Sequence, residues 1–293
     1  MSIPSINSYA LPVVNELPAN RVKWHIDSAR AVLLIHDMQD YFLRFYGDNN
    51  SLVKNLLNNI VAIRTWAKSA GIPVVYTAQP SEQTPQDRAL LNDMWGPGLT
   101  TADPKLKQVV SALTPDENDT VLVKWRYSAF QRSPLQDMMK NWQRDQLIIV
   151  GVYAHIGCLT TALDAFMRDI KPFMVADAVA DFTEAEHSMA LNYVAGRCGS
   201  VVTTDQVIGK SVQALSREWL TQELLQCIDE DADDLDADDN LIDYGLDSVR
   251  VMGLIGKWEK LGINVQFEEL AREPSINGWW ALIQQKLEQR QAA

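Results

Sequence analysis

The sequence contains few cysteines and histidines, and their spacing excludes several classes of protein. Three cysteines in 293 residues, Cys158, Cys198 and Cys227, are an odd number without a CxxC pair. They fit reduced thiols better than a disulfide framework. The four histidines show no HxxxH spacing and no cysteine company. We therefore expect no zinc site.

Long apolar runs are also missing. No run approaches the roughly 18 residues that a membrane-spanning helix needs. The opening residues MSIPSINSYALPVV lack the basic start and the apolar block of a signal peptide. We expect a cytoplasmic protein that neither enters nor binds a membrane.

Positive charge is scarce, above all near the C-terminus, and the formal net charge of the chain is −12. Residues 213–293 hold 7 Lys and Arg against 17 Asp and Glu, whereas residues 1–212 hold 19 against 21. Such an acidic surface repels phosphate backbones and attracts basic proteins, so we expect protein partners and no nucleic acid. The stretch DEDADDLDADD, residues 229–239, is predicted to be a solvated loop.

Short apolar runs alternate with helix-like segments from residue 30 to about residue 205. Continuous apolar strands separated by helices are typical of an α/β fold with a doubly wound, mostly parallel sheet. The predicted strands are residues 31–37, 73–79, 119–125, 146–154, 172–180 and 200–205. The predicted helices between them are residues 51–70, 134–144, 159–170 and 184–196.

After residue 206 the strand pattern disappears and apolar residues recur at helical spacing. Leu254, Trp258 and Leu261 form one such set. We expect a small, all-α, four-helix domain of about 80 residues. The predicted division is a first domain of residues 1–208 and a second domain of residues 209–293.

Polar residues lie at the carboxyl ends of several of the predicted strands. Ligands of such sheets bind at the carboxyl ends of the strands, and this rule selects Asp37, Gln79, Lys124 and the turn YAHIGC. Asp37 alone could be a helix cap, but a lysine after three apolar residues requires a partner for its charge. The turn at Gly157 leads into a helix whose free N–H groups could hold an anionic group.

These features resemble the isochorismatase-like hydrolase family. The resemblance covers nearly the whole first domain, through LLIHDMQDYF, YTAQP, DRALLNDMWGPGL, LVKWRYSAF, GVYAHIGC and FMVADAVADF. It implies that Asp37, Lys124 and the Gly157 backbone form the catalytic centre. It also implies that the substrate site is lined by Phe42, Gln79, Arg88, Trp95, Tyr127 and Tyr153.

The turn YAHIGC departs from the amidohydrolases of this family, which use an Asp, Lys, Cys triad. The nucleophilic cysteine of these amidohydrolases corresponds to Gly157, and Cys158 lies one position later. A shift of one position at a helix start rotates a side chain by about 100°. Cys158 is therefore predicted to be a packing residue, with a Cys158-dependent amidohydrolase as the first alternative and a non-catalytic docking platform as the second. Nicotinamidases bind a metal through histidines soon after the first Asp, and this chain has none there. We expect no catalytic metal.

The resemblance to isochorismatases implies hydrolysis of a vinyl ether by general-acid chemistry. Isochorismate would be protonated on its terminal methylene carbon, and water addition would give 2,3-dihydro-2,3-dihydroxybenzoate and pyruvate. Asp37 is the candidate proton donor, although Lys124 alone would lower its pKa. The two carboxylates of the substrate could resolve this conflict by pairing with Lys124 and Arg88.

The stretch DNLIDYGLDSVRVMGL, residues 239–254, contains a second candidate site. Ser248 alone would be interpreted as a helix start capped by serine or aspartate. The stretch resembles the phosphopantetheine attachment site of acyl, peptidyl and aryl carrier proteins. The resemblance implies covalent 4′-phosphopantetheine on Ser248 and a transient contact of Asp247 with the Mg²⁺ of the transferase.

The two domains together resemble the bifunctional isochorismatase and aryl carrier proteins of catechol siderophore biosynthesis, of the enterobactin or vibriobactin type. The implied partners are isochorismate, a phosphopantetheinyl transferase, a 2,3-dihydroxybenzoate adenylating ligase and the condensation domain of a nonribosomal peptide synthetase. We also expect a homo-oligomer. The relative orientation of the domains and the final acceptor amine stay open.

Overall fold

The structure, a computed structural model, describes residues 3–209, 216–228, 235–259 and 263–291, with side chains up to residue 286 in the last helix. The chain divides into two compact units, Met1–Lys210 and Ser211–Ala293. The boundary predicted after residue 208 lies next to residues outside the described ranges and stays a prediction. Each unit is described by itself below.

The first unit is built on a six-stranded sheet in the order β3-β2-β1-β4-β5-β6. All neighbouring strands are parallel, which confirms the predicted α/β fold. The strands are β1 Ala31–His36, β2 Val74–Ala78, β3 Thr120–Val123, β4 Gln146–Val152, β5 Lys171–Ala180 and β6 Ser200–Val202. The direction of strand succession reverses between β1 and β4, and doubly wound sheets bind ligands at this point.

The helices of the first unit include all four that the sequence predicts, each at most a few residues shorter. They are α1 Asp40–Leu43, α2 Ser51–Ser69, α3 Pro85–Arg88, α4 Leu91–Trp95, α5 Leu135–Asn141, α6 Leu159–Phe166, α7 Glu184–Tyr193 and α8 Thr204–Val207. Helix α6 ends before residue 170 because Asp169 takes a left-handed φ of 60°. Two π-helical turns, Ala154–Cys158 and Val194–Cys198, precede α6 and follow α7.

Strand β1 shows why the predicted strands read as continuous apolar runs. Leu33 and Ile35 pack into a core cluster on one face of the sheet, which includes the apolar side of α2. Val32 and Leu34 pack on the other face, in a cluster that includes α6. Since both faces are covered, every residue of the strand is buried. Burial of each Val, Leu or Ile side chain of this strand stabilises the fold by ~1.5–3 kcal/mol.

The second unit contains helices and no strand within its described residues, which agrees with the predicted all-α domain. Its α-helices are α9 Arg217–Leu225, α10 Ser248–Glu259, α11 Phe267–Leu270 and α12 Ile276–Gln291, with a 3₁₀ turn at Leu241–Tyr244. Three indoles form the centre of the core, with Trp258 lying 6.1 Å from Trp219 and 5.8 Å from Trp279 between ring centroids. Leu254 is buried as predicted, whereas Leu261 lies outside the described residues.

Two other predictions concern regions between and outside these elements. Residues 229–234 of the acidic stretch lie outside the described ranges, and residues 235–239 contain neither helix nor strand. No helix among the residues that the structure covers combines the length and the apolar character needed to cross a bilayer.

Candidate functional site

One pocket in the first unit brings together every residue predicted for the hydrolase site. It lies at the carboxyl ends of the strands and spans about 600 Å³, including the solvent at its mouth. The predicted residues among its lining are Asp37, Phe42, Gln79, Arg88, Trp95, Lys124, Tyr127, Tyr153 and Gly157. The remaining lining residues are Ile3, Tyr41, Leu91, Gly98, Val152, Ile156 and Phe182.

A buried ion pair forms the polar centre of this pocket. The Nζ atom of Lys124 lies 2.8 Å from Oδ2 of Asp37, and the two residues are 4% and 5% exposed. They follow β3 and β1, which β2 separates in the sheet. Asp37 has a left-handed φ of 52°, a conformation that aspartate tolerates better than most residues. The partner that the sequence required for Lys124 is therefore Asp37.

Two neighbours hold the Asp37 carboxylate in place. The hydroxyl of Thr77, on β2, donates to Asp37 Oδ1 at 2.7 Å. The Asp37 N–H donates to the same hydroxyl at 3.2 Å. Burial raises the pKa of Asp37, but the charge of Lys124 and the hydrogen bonds of Lys124 and Thr77 outweigh burial and lower it. The carboxylate is thus ionised in the free protein, which is the direction expected from the sequence.

His36 lies beneath the pocket as a neutral imidazole. Burial and the charge of Lys124 lower its pKa to about 4, against the opposing influence of Asp37. Its Nδ1 therefore carries a proton and donates to the Val152 carbonyl at 2.9 Å. This ring explains the glycine in the turn after β4, because a Cβ atom at Gly157 would lie 2.1 Å from His36 Cε1.

Cys158 lies apart from the pocket. Its side chain is fully buried in the core cluster that includes α6, and it does not line the cavity. Burial, together with the charges of Asp37 and Asp181, raises the pKa of its thiol well above the ordinary value. A nucleophilic cysteine requires the opposite shift and access to the substrate.

Arg88 supplies a buried positive charge on the side of the pocket formed by α3 and α4. It is 5% exposed, and its Nε donates to the Gly96 carbonyl at 2.8 Å. None of the described acidic side chains forms an ion pair with it. Burial lowers the pKa of Arg88, against the opposing influence of Tyr41 and Tyr127. A buried guanidinium without an anion favours a ligand that brings one.

Aromatic side chains cover the rest of the pocket. The indole Nε1 of Trp95 donates to the Tyr127 hydroxyl at 2.8 Å. The Tyr153 hydroxyl donates to the Phe42 carbonyl at 2.7 Å, and the Tyr153 and Phe182 ring centroids lie 4.6 Å apart. Such walls suit the apolar faces of a ring-shaped ligand.

Sequence reasoning missed three residues that position the site. Thr77 has no sequence signal, because it lies inside β2. Gln39 belongs to the stretch LLIHDMQDYF, and its side chain accepts from Gln79 N at 2.7 Å and donates to Gln79 O at 3.0 Å. Asp181 directly follows β5, so the rule that selected Asp37 and Lys124 could have found it. Its carboxylate accepts from the backbone N–H of His155 at 2.6 Å, which holds the turn that contains Gly157.

One group of side chains could hold a metal ion within the part of the chain that the structure describes. It comprises His155, Asp181 and Glu186, none of which lines the pocket. The His155 Nδ1 and Asp181 Oδ1 atoms lie only 2.5 Å apart. That separation identifies a charge-assisted hydrogen bond. Burial lowers the pKa of His155, but Asp181 and Glu186 outweigh burial and raise it.

Ser248 is the first residue of α10 in the second unit, and it is exposed. The cap of this helix is Asp247, whose Oδ1 accepts from Arg250 N at 2.8 Å. The Ser248 hydroxyl has no hydrogen-bond partner among the described residues. Of the two capping residues that the sequence allowed, the structure thus selects Asp247. The serine hydroxyl remains accessible at the positive end of the helix.

Comparisons with known proteins agree with both sites. Residues 31–206 match the family model of the isochorismatase domain, and residues 218–283 match that of the phosphopantetheine attachment site. The chain is 55% identical to enterobactin synthase component B of Escherichia coli strain K12, over 98% of this chain and 100% of that protein. It is 45% identical to an isochorismatase of Bacillus subtilis strain 168, over 99% of this chain and 97% of that protein.

Solved structures also resemble the first unit. A cysteine hydrolase from Pseudomonas syringae pv. phaseolicola 1448A matches 66% of this chain and 96% of its own, with a TM-score of 0.59 and 24% identity. At this identity the likeness concerns the fold alone.

Proposed function

The chain belongs to the isochorismatase family, and on this premise we propose that its first unit hydrolyses isochorismate while its second unit carries 2,3-dihydroxybenzoate. Hydrolysis of the vinyl ether yields 2,3-dihydro-2,3-dihydroxybenzoate and pyruvate. The aryl acid is held as a thioester on 4′-phosphopantetheine for nonribosomal siderophore synthesis. Both family models match within this one chain, and its similarity to two relatives extends over nearly its whole length, which supports both activities in one chain.

The observation that carries the hydrolase proposal is the composition of the pocket. It contains a buried carboxylate and two buried cations, Asp37, Lys124 and Arg88, and it presents backbone alone at Gly157. No cysteine among the described residues lines the pocket, so the thioester acyl-enzyme of a cysteine hydrolase cannot form there. Two buried cations suit a dicarboxylate, and a buried carboxyl group suits general-acid chemistry.

The chemistry balances with water as the only co-reactant. Asp37 donates a proton to the terminal methylene carbon of the enolpyruvyl group, which becomes the methyl group of pyruvate. Water adds to the resulting oxocarbenium carbon and returns a proton to the site, giving a hemiketal. Collapse of the hemiketal breaks the bond to the ring oxygen, and that oxygen takes up a proton as the ring diol leaves.

The substrate itself would make Asp37 a proton donor. Burial is the largest influence on the Asp37 pKa and acts upward, while Lys124 is the largest downward influence. A substrate carboxylate that pairs with Lys124 cancels this downward influence, so that burial prevails and the carboxyl group takes up a proton. The second carboxylate then pairs with Arg88. We assign the remaining predicted residues, Phe42, Gln79, Trp95, Tyr127 and Tyr153, to the walls of the site.

An assay of pyruvate release tests the hydrolase proposal. The purified protein is mixed with isochorismate, and pyruvate is measured through coupled oxidation of NADH by lactate dehydrogenase. We expect equal amounts of pyruvate and of the ring diol. Absence of pyruvate would instead support a docking platform. Ammonia release from an amide, abolished by thiol alkylation, would support an amidohydrolase that uses Cys158.

Ser248 is our proposed attachment site for the phosphopantetheine arm. The exposed hydroxyl at the N-terminus of a 12-residue helix supports this assignment, because the helix dipole favours the new phosphodiester. Asp247 is our candidate for the transient Mg²⁺ contact during transfer. Its Oδ1 is occupied by the cap, which leaves Oδ2 for that contact.

The surroundings of Ser248 support protein partners. Ile242, Val249 and Met252 are 59%, 78% and 57% exposed, and apolar side chains at such exposure favour docking of another protein. We propose three partners for this surface: a phosphopantetheinyl transferase, a 2,3-dihydroxybenzoate adenylating ligase and the condensation domain of a nonribosomal peptide synthetase. The acidic surface of the unit would attract basic patches on these partners.

Peptide mapping tests the attachment site. The protein is incubated with coenzyme A and a phosphopantetheinyl transferase, and the mass increase is located by mass spectrometry. We expect one phosphopantetheine group on the peptide that contains Ser248. In Ser248→Ala the mass stays unchanged. Modification of the Ser248→Ala variant would contradict the assignment.

We also propose a cytoplasmic location and a homo-oligomeric state. Size-exclusion chromatography with light scattering measures the assembly, and a mass equal to that of one chain would contradict an oligomer.

A further inference from the structure

The N-terminal segment, residues 3–11, reaches the pocket from outside the region that matches the isochorismatase domain. That region begins at residue 31, yet Ile3 lines the pocket together with Asp37 and Lys124. Ile3 is only partly buried and packs against the core cluster on that face of the sheet. An apolar side chain at the site thus comes from a part of the chain that no motif had selected.

Backbone and side-chain contacts hold this segment in place. Ile6 is 3% exposed, and its N–H donates to the Phe45 carbonyl, just after α1, at 2.8 Å. The hydroxyls of Ser8 and Ser51 lie 3.0 Å apart, which ties the segment to the start of α2. Leu11 packs against the same core cluster as Ile3 and does not line the pocket. The segment is therefore an integral part of the first unit.

Tyr9 is the anchor nearest to the catalytic turn, and the direction of each of its hydrogen bonds can be assigned. His187 Nε2 donates to the Ala176 carbonyl at 3.0 Å. Burial lowers the pKa of His187 to about 4, so its Nδ1 is unprotonated. The Tyr9 hydroxyl therefore donates to Nδ1 at 3.0 Å and accepts from Asp181 N at 2.7 Å. Both capacities of the hydroxyl are used inside the protein.

Asp181 connects this anchor to the turn that contains Gly157. Its N–H binds Tyr9, while its carboxylate binds the N–H and the Nδ1 of His155 at 2.6 Å and 2.5 Å. The carboxylate also accepts from Phe182 N at 2.9 Å, and Phe182 lines the pocket. One residue thus fixes the segment, the turn and one aromatic wall relative to each other.

We propose that the N-terminal segment is a functional wall of the isochorismate site, with Ile3 in contact with the bound substrate and Tyr9 as the positioning residue that keeps it there. This inference rests on the proposed hydrolase function. An isoleucine at this place removes water from the apolar part of the pocket. It contacts substrate and transition state alike, so its loss weakens binding and leaves the chemical step in place.

Steady-state kinetics of Ile3→Ala test the contact. Removal of three partly buried carbons should raise KM for isochorismate roughly fivefold, with kcat nearly unchanged. Ile3→Leu, which keeps the apolar volume, should return KM to within about twofold of wild type. Leu11→Ala is the matched control, since it removes a comparable side chain from the same segment and should leave KM unchanged. Equal KM values for Ile3→Ala and wild type would overturn the proposal.

A double-mutant cycle tests the role of Tyr9. Tyr9→Phe keeps the ring but leaves His187 Nδ1 and Asp181 N without their partner, so KM should rise in the same direction as in Ile3→Ala. If Tyr9 acts through Ile3, the fold increase in KM of the double variant should be smaller than the product of the fold increases of the two single variants. Effects that multiply, or an unchanged KM in Tyr9→Phe, would overturn the positioning role.

The wild-type protein separates this inference from the function on which it rests. Absence of pyruvate from wild type would contradict the proposed hydrolase function. Wild-type turnover with an unaltered KM in Ile3→Ala would contradict the inference alone. Thermal unfolding of each variant, together with loading of the second unit with phosphopantetheine, shows that the altered proteins are folded.

Discussion

In the first unit the reactive groups are buried and come from distant parts of the chain, whereas in the second unit the candidate serine is exposed and its surroundings are contiguous in sequence. Asp37 and Lys124 are 87 residues apart and meet only because β1 and β3 lie in one sheet. Ser248, Asp247 and the exposed Val249 are neighbours along the chain. Substitutions in the pocket should therefore disturb one another, whereas substitutions around Ser248 should alter the loading of the serine and leave pyruvate release unchanged.

The largest expected effect is that of Asp37→Asn on turnover. Loss of the proton donor should reduce pyruvate release about 10²–10⁴-fold. Substrate binding, measured by calorimetric titration, should persist because Lys124 and Arg88 keep their charges. Ser248→Ala is the control from the other unit and should release pyruvate at the wild-type rate. Pyruvate release by Asp37→Asn at the wild-type rate would contradict the assignment of Asp37 as the proton donor.

A second comparison concerns acid stability, because all four histidines lie in the first unit. Burial lowers the pKa of His36 and of His187 from 6.5 to about 4. Their stabilisation is complete above pH 6.5 and is lost as the pH falls toward 4, at about 3 kcal/mol each. Burial raises the pKa of Asp177 to about 6. Its effect on stability is opposite to that of the histidines, because the protonated carboxyl group stabilises the fold at low pH and this stabilisation is lost as the pH rises through about 6.

The net effect should be a loss of about 3 kcal/mol in the free energy of unfolding of the first unit between pH 6.5 and pH 4. Hydrogen exchange at several pH values, resolved by peptide, measures each unit. Asp177→Asn keeps an acceptor for Thr204, whose N–H and hydroxyl bind Asp177 Oδ1 at 2.7 Å and 2.9 Å. This variant should therefore lose more unfolding free energy between pH 6.5 and pH 4 than the wild type does. Equal loss of protection in both units would argue against the buried histidines as the cause.

Gly157→Ala tests how closely the pocket residues depend on one another. The added Cβ would lie 2.1 Å from His36 Cε1, so the variant should lose ~1–3 kcal/mol of stability and much of its activity, as Asp37 follows His36 directly. The matched control is Gly196→Ala, in the other π-helical turn, where an added Cβ meets no atom within 4 Å. Recovery of stability in His36→Ala/Gly157→Ala would support the clash with His36 as the cause. Equal stability of Gly157→Ala and Gly196→Ala would contradict it.

The smallest expected effect is that of Asp247 on the second unit. Asp247→Ala removes the cap of α10 and should cost about 1 kcal/mol, whereas Asp247→Asn keeps an acceptor for Arg250 N and should cost little. If the charge contacts Mg²⁺ during transfer, both variants should slow loading of Ser248. If loading is slowed in Asp247→Ala but not in Asp247→Asn, it depends on the stability of the helix alone, and Asp247 is a cap without a role in transfer. Pyruvate release should be unchanged in both variants.

Much of the hydrolase site could be predicted because its polar residues directly follow apolar strands. Asp37, Gln79 and Lys124 were found in this way, and the same rule applied to β5 would have found Asp181. Thr77 could not be found, since it lies within a strand and its importance depends on the 2.7 Å hydrogen bond to Asp37. Ile3 could not be found either, because nothing in an isolated isoleucine indicates which cavity it lines.

By itself the sequence determined the strands, the main helices, the order of the two units and the serine at the start of α10. These features depend on apolar periodicity and on short contiguous motifs, which act over a few residues. Only the tertiary structure decided that Asp37 pairs with Lys124, that His36 leaves no room for a side chain at Gly157, and that Tyr9 binds Asp181 from 172 residues away. Such contacts depend on strand order and on close packing.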